Sequence, residues 1–217
     1  MRIILLGPPG SGKGTQGEMI ERKFNLPRIA TGDILREAVK LKTPLGLAAE
    51  AQIKAGHLVS DEIVASLVAE RIKQSDCLQG YILDGFPRNL NQIKLLEKMD
   101  NCQEEIAIEI YVPEETVIKR LVNRRICSSC GTVYNIITSP PQRFEFCDFC
   151  GGQLIQREDD NAEVIRERLR IYETEIKDIR EHYCRKGVFY KINGEGSVDE
   201  VFKRIEIILE SKIKKKV

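Results

Sequence analysis

The sequence predicts an α/β protein whose central, mostly parallel sheet is flanked by helices. Three observations predict it: short apolar runs at 2–6, 81–84 and 106–112, helical patterns between them, and a glycine-rich turn directly after the first run. Short uninterrupted apolar runs bounded by turn residues suit buried strands, and strands alternating with helices join in parallel with helices on both faces.

In chain order, residues 2–6 form a strand that a Gly/Pro cluster ends, and a helix follows over 13–24. Thr31 or Asp33 can cap a further helix running to about residue 42, which Pro44 punctuates. Ser60-Asp61-Glu62 opens a helix to about 74; strand 81–84 ends at Gly85; and Asn89 caps a helix through 99. After strand 106–112, Pro113-Glu114-Glu115 opens a helix expected to carry Arg120 and Arg124. Residues 126–160 break the rhythm with cysteine pairs, Pro140-Pro141 and Gly151-Gly152. Asn161 starts a long amphipathic helix to about 185, followed by strand 188–192 and helix 198–212.

The 34 basic residues are matched by 33 acidic ones, and the net charge of +1 provides no global footprint for nucleic acid or an anionic membrane. The run Lys212, Lys214, Lys215, Lys216 reads as a solvated helix end. No apolar stretch approaches the ~18–20 residues needed to cross a bilayer. The N-terminus runs straight into a glycine loop, unlike a secretion signal, so a cytoplasmic location and no membrane partner are expected.

Gly7-Pro8-Pro9-Gly10-Ser11-Gly12-Lys13 lies between the first strand and the first helix, the context of a phosphate loop. Glycines let backbone N–H groups turn towards phosphate oxygens, the helix N-terminus adds partial positive charge, and Lys13 reaches the terminal phosphates. Gly14 stands where most such loops carry a Mg²⁺-binding hydroxyl, and Thr15 comes one residue late. The metal must then rely on water, phosphate and a carboxylate such as Asp84. Gly12–Gly17 also matches G-x-G-x-x-G, with Asp33 about 20 residues on. That dinucleotide reading is rejected because most of the match lies inside the helix and no strand is predicted to lead to Asp33.

From Gly7 to Gln16, at Thr31-Gly32-Asp33-Ile34-Leu35-Arg36, at Asp84-Gly85-Phe86-Pro87-Arg88 with Gln92, and at Arg157-Glu158-Asp159-Asp160 with Arg168, the chain resembles the adenylate kinases. The resemblance implies a phosphate-loop core (1–29, 60–123 and 162–217), a small helical AMP-binding insert (30–59) and a lid over ATP (124–161). It implies transfer of the terminal phosphoryl group of ATP to AMP, giving two ADP with Mg²⁺, by a monomer. It assigns AMP to Thr31, Arg36, Leu58, Val59, Gly85, Phe86, Pro87, Arg88, Gln92, Arg157 and Arg168. ATP falls to Gly10, Ser11, Gly12, Lys13, Gly14, Thr15, Arg120, Arg124, Val133, Tyr134 and Gly196. Kinases for another nucleoside monophosphate, or with GTP as donor, are the nearest alternatives.

The chemistry needs no general base, because a phosphate monoester with a second pKa of ~6 is already ionised near neutral pH. His57 and His182 sit in no catalytic pattern, and His57 reads as a surface residue. Charge on the moving phosphoryl group calls for cations, here Lys13 and the planar forks of Arg36, Arg88, Arg124, Arg157 and Arg168. Asp159 and Asp160 are expected to orient arginines or to link lid and core, unless Asp160 or Asn161 caps the long helix. The lid and insert should close over the nucleotides to exclude water, with Gly46 and Gly56 as candidate hinges.

Cys127-x-x-Cys130-Gly and Cys147-x-x-Cys150-Gly are two knuckles, whereas Cys77, Cys102 and Cys184 are scattered. Four thiolates suit tetrahedral Zn²⁺ and leave no open position, so a structural zinc is expected, with iron as an alternative. Zinc ribbons also bind nucleic acid, but Glu145, Asp148, Glu158, Asp159 and Asp160 stand among the aromatic residues of this segment, and such a module would leave the phosphate loop unexplained. A phosphate-loop switch protein is disfavoured by the lack of an N-K-x-D guanine-reading motif.

Overall fold

The computed structural model describes residues 1–100, 102 and 104–213; Lys214, Lys215 and Lys216 of the basic run lie outside them. Strand β1 (Arg2–Leu6) leads through the glycine loop into α1 (Lys13–Phe24). Then come β2 (Arg28–Ala30), α2 (Thr31–Lys40), α3 (Pro44–Ala55), α4 (Asp61–Ile72), β3 (Tyr81–Asp84) and α5 (Leu90–Met99). They are followed by β4 (Glu105–Tyr111), α6 (Glu114–Val122), the short strands β5 (Arg124–Cys127), β6 (Val133–Asn135) and β7 (Leu154–Ile155), α7 (Ala162–Arg185), β8 (Phe189–Asn193) and α8 (Val198–Ile213).

The core sheet has the order β2-β3-β1-β4-β8, and every pairing in it is parallel. Alternation along β1 divides the interior. Ile4 and Leu6 face Val68, Leu96, Ile176 and Ile179, whereas Ile3 and Leu5 face Ile20, Val117, Ile205 and Leu209. Helices α4, α5 and the later turns of α7 therefore cover one face, and α1, α6, α8 and the first turns of α7 the other. The carboxyl ends of β1 and β3 at the middle of the sheet open on one crevice, where α/β sheets bind ligands.

Four differences from the sequence reading have physical causes. Strand β2 leads directly to Asp33; it has only three residues, of which only Ile29 is buried, so it shows no periodicity. The dinucleotide reading still fails, because Lys13 to Gly17 lie within α1. Helix α2 is capped at Ala30 without a side chain and ends at Lys40: the Thr31 hydroxyl instead donates to the Gly85 carbonyl at 3.0 Å, and Asp33 pairs with Arg36. Arg124 opens β5 instead of extending α6, which Asn123 ends. Helix α3 has no counterpart in the sequence reading, and Gly46 is a contact point inside it: a Cβ there would sit 2.0 Å from the Ala38 carbonyl oxygen, so glycine lets α3 press against α2.

Candidate active site

The loop after β1 carries Gly10, Ser11 and Gly12, and Lys13, Gly14 and Thr15 form the first turn of α1. Lys13 curls back over the loop, its Nζ donating to the carbonyls of Gly7 (2.7 Å) and Pro8 (2.8 Å). Enclosure lowers its pKa to about 8; Asp84 opposes that shift, while Arg88, Arg168 and Arg124 add to it. A Cβ on Gly14 would lie 3.8 Å from Asp84 Oδ2. Position 14 and the end of β3 thus face the same point, where a carboxylate can serve a Mg²⁺ that the missing hydroxyl cannot.

A cleft beside the loop is walled by Thr31, Arg36, Leu58, Val59, Gly85, Arg88, Gln92 and Arg168. Phe86 and Pro87 do not line it: Phe86 is fully buried in the apolar core, joined to Pro87 by a cis peptide bond. Gln92 is also buried, and its amide is already engaged at both ends. Its Oε1 accepts from the Arg88 N–H at 2.8 Å, and its Nε2 donates to Asp61 at 2.8 Å. One lone pair and one N–H remain for a base. Asp61, which the sequence reading used only as a helix start, also accepts from Asn89 and Asn91, both at 2.9 Å. Burial would raise its pKa, but the hydrogen bonds from Asn91, Asn89 and Gln92 outweigh that and lower it. Its only signal in the sequence was its place at the start of α4, behind the Ser60 cap; the contact with Gln92 spans 31 residues. His57 is exposed at the rim, 3.5 Å from Glu167, as a surface residue should be.

Across the cleft, two buried aspartates hold the arginines. Asp160 takes both arms of Arg124, from Nε at 2.8 Å and from Nη2 at 2.6 Å, and also faces Arg168 at 3.6 Å. Asp159 pairs with Arg168 at 2.9 Å and with Arg36 at 3.9 Å. Both therefore orient arginines, and Asn161 caps α7. Arg157 approaches Asp33 at 3.5 Å, and its buried Nε has no partner. Enclosure pushes Arg157 down to about 9, with Arg36 and Arg124 repelling it. Arg88 is reached by solvent through the cleft, yet enclosure lowers it to about 10, followed by repulsion from Arg168 and Arg36. Arg168 is lowered too, first by enclosure, with Arg124 and Arg36 repelling it and Asp159 and Asp160 opposing the shift. Cations disfavoured by enclosure and by one another are a site awaiting anions.

On the loop's other side Arg120 ties its two neighbours together, donating to the Gly194 carbonyl at 3.0 Å and the Ser11 carbonyl at 3.4 Å. Gly196 lies in the turn between β8 and α8, and Val133 is exposed on β6. The Tyr134 side chain turns away into the lid, where its hydroxyl accepts from the Asp148 N–H at 2.9 Å and lies 3.4 Å from Cys147 Sγ.

The lid is a three-stranded antiparallel sheet, β6-β5-β7, carrying both cysteine knuckles. All four thiols are free, their sulfurs within 4.8 Å of one another, with Cys127–Cys150 at 3.4 Å and Cys130–Cys147 at 3.6 Å. A tetrahedron with metal–sulfur bonds of about 2.3 Å has edges of about 3.8 Å, so the donors are placed to bind a metal ion. The Tyr134 hydroxyl lowers the Cys147 thiol to about 6, and the backbone N–H groups of Cys130 and Ser129 lower Cys127. Gly131 and Gly151 turn the chain at φ 75° and 72°, as the knuckles require. Helices α2 and α3 touch the cysteine-bearing segment and the stretch that follows it: Lys40 donates to the Ser128 carbonyl at 3.3 Å, and Lys54 faces Glu158 at 3.6 Å.

A phosphate loop opposed by a fan of arginines, beside a second cleft ending in a buried amide, defines a nucleotide phosphotransferase. The sequence model of the family described as adenylate kinase matches residues 5–188. An adenylate kinase of Archaeoglobus fulgidus is 46% identical over 97% of this chain and 98% of its own length. One of Thermodesulfovibrio yellowstonii is 46% identical over 98% and 100%, and one of Clostridium botulinum 44% over 96% and 98%. The chain belongs to the adenylate kinase family. The reaction of that family is phosphoryl transfer between ATP and AMP, with Mg²⁺ accompanying ATP. Among the described residues no helix is long and apolar enough to cross a membrane.

Proposed function

We propose that this chain moves the terminal phosphoryl group of ATP to AMP and back through Lys13, Arg88, Arg124, Arg157 and Arg168. The observation carrying this reading is geometric: Lys13 sits over the phosphate loop, Arg88 and Arg168 line the neighbouring cleft, and Asp160 and Asp159 fix Arg124 and Arg168. This enclosure and crowding of cations also hold Lys13, Arg88 and Arg157 below their usual pKa. Polyphosphate would relieve both penalties, and the relief is greatest where charge spreads over the moving group. Asp159 and Asp160 set the arginine forks in advance, and Asp84 serves Mg²⁺. AMP would rest on Thr31, Arg36, Leu58, Val59, Gly85 and Gln92. Phe86 and Pro87 shape that wall from behind. ATP would lie on Gly10 to Thr15 and between Arg120, Val133, the Tyr134 backbone and Gly196.

Residues 30–59 and 124–161 would move as insert and lid against the remainder, and their contact through Lys40 and Lys54 supports closure over bound nucleotides. Zn²⁺ is the ion we assign to the four cysteines. The working form is read as a cytoplasmic monomer. A coupled assay over every pairing of nucleoside monophosphate and triphosphate tests the reading, with ATP and AMP expected to be the best pair. Preference for UMP or GMP would remove the specificity and leave the kinase.

A further inference from the structure

We infer that Arg28 is a positioning residue that acts through Asp84 and sets the divalent-cation requirement of the nucleotide site. Arg28 opens β2, which pairs directly with β3, and its side chain runs along α1 to reach the end of β3. Two glycines one turn apart on α1 make the passage. A Cβ on Gly17 would lie 2.6 Å from Arg28 Cδ, and one on Gly14 would lie 3.6 Å from Arg28 Nη1. At the end of that groove Nη1 donates to Asp84 Oδ2 at 2.9 Å, with both side chains largely covered. A tethered cation thus already occupies one oxygen of the carboxylate that stands nearest position 14.

A guanidinium and a hydrated Mg²⁺ compete for such a carboxylate, because each is attracted to it and each repels the other. Release of Asp84 would not strand Arg28. Its Nη2 lies 3.5 Å from Glu18 and 3.6 Å from Asp33, so two acidic partners are at hand. Arg28 therefore holds Asp84 in the metal-free state and yields it when the metal–nucleotide complex arrives. This inference rests on Asp84 being the carboxylate that serves Mg²⁺.

The test compares wild type with Arg28→Gln, Arg28→Lys, Asp84→Asn and the Arg28→Gln/Asp84→Asn double variant. Two quantities are read: ADP affinity by calorimetry in EDTA and in saturating Mg²⁺, and Mn²⁺ affinity of the enzyme–ADP complex by electron paramagnetic resonance. Arg28→Gln should raise the ratio of metal-bound to metal-free ADP affinity, and the Mn²⁺ affinity, about fivefold. Arg28→Lys, which keeps a cation and controls for folding, should stay near wild type. The double variant should match Asp84→Asn, because Arg28 acts only through that carboxylate. An Arg28→Gln ratio equal to or below wild type overturns the inference while a metal increment lost in Asp84→Asn keeps the role of Asp84. If Asp84→Asn retains the full increment, the underlying reading of Asp84 fails as well.

Discussion

The core and the lid keep their shapes by different means. In the core, two apolar clusters pack on opposite faces of a parallel sheet, and fully buried side chains such as Ile3, Ile4, Leu83, Ile108 and Leu209 carry them. In the lid, among the described residues, the cluster consists of Cys127, Tyr134, Cys147 and Leu154, and half of it is thiol. Phe144 and Phe149 of the same segment are 77% and 84% exposed, so its aromatic residues do not compensate. At roughly 25 cal/mol per Å² of buried apolar area, so small a cluster cannot offset the ordering of a segment this long. The difference leads us to expect that the lid depends on a metal at its four sulfurs for its fold, and that chemistry and lid stability are separable.

The largest effects should come from the cation fan. Lys13→Ala and Arg88→Ala each remove charge from the moving phosphoryl group, and turnover should fall on the order of 10²-fold or more with smaller changes in KM. Steady-state kinetics check this, and metal content should stay unchanged. Unaltered turnover in a folded variant would remove that residue from the catalytic set. The lid gives the converse. Metal analysis should find about one ion per chain, and chelation should lower the melting temperature because binding energy at a structural site is folding energy. Cys130→Ser should weaken metal retention; Cys184→Ser should not. A well-folded, metal-free protein of unchanged melting temperature would break the comparison between core and lid.

The parts legible in the sequence are those whose physics is local. The apolar runs, the glycine loop, the Asn89 cap and the cysteine spacing all act within a few residues of themselves, and each is where the sequence put it. Contacts made at a distance were hidden. Strand β2 exists because β3 pairs with it, Gly46 matters because Ala38 lies against it, and Arg28 has a role only once Asp84 is beside it. Phe86 shows the same limit from the other side: its place in a motif suggested ligand contact, whereas folding buried it.

A pH dependence sharpens the description of the core. Lys13 is held at about 8 against an ordinary 10.5, and bound phosphate favours its charged form. ADP affinity should be full below about pH 8 and fall as pH rises beyond it, with proton uptake on binding near pH 8–9. Calorimetry in buffers of different ionisation enthalpy measures that uptake, and Lys13→Met should abolish it. The effect on stability has the opposite sign. Between the two values the unfolded chain binds the extra proton, so the nucleotide-free fold gains stability from this group as pH rises through that window.

The smallest expected effect concerns Asp61, which touches neither the phosphate loop nor the lid. It accepts hydrogen bonds from Gln92 Nε2, Asn89 Nδ2 and Asn91 Nδ2, and so fixes one end of the amide that faces the monophosphate cleft. Asp61→Ala leaves Gln92 tethered only through its Oε1 to the Arg88 N–H, and the amide becomes free to swing. One lost orienting hydrogen bond is worth about 1 kcal/mol, so KM for AMP should rise about fivefold. Turnover and KM for ATP should change little, since Lys13 and the arginine fan keep their partners. Thermal melting separates this from a general loosening of α4, whose start Asp61 also forms. Equal rises in KM for both nucleotides would mean that Asp61 supports the fold and not the base end of the cleft.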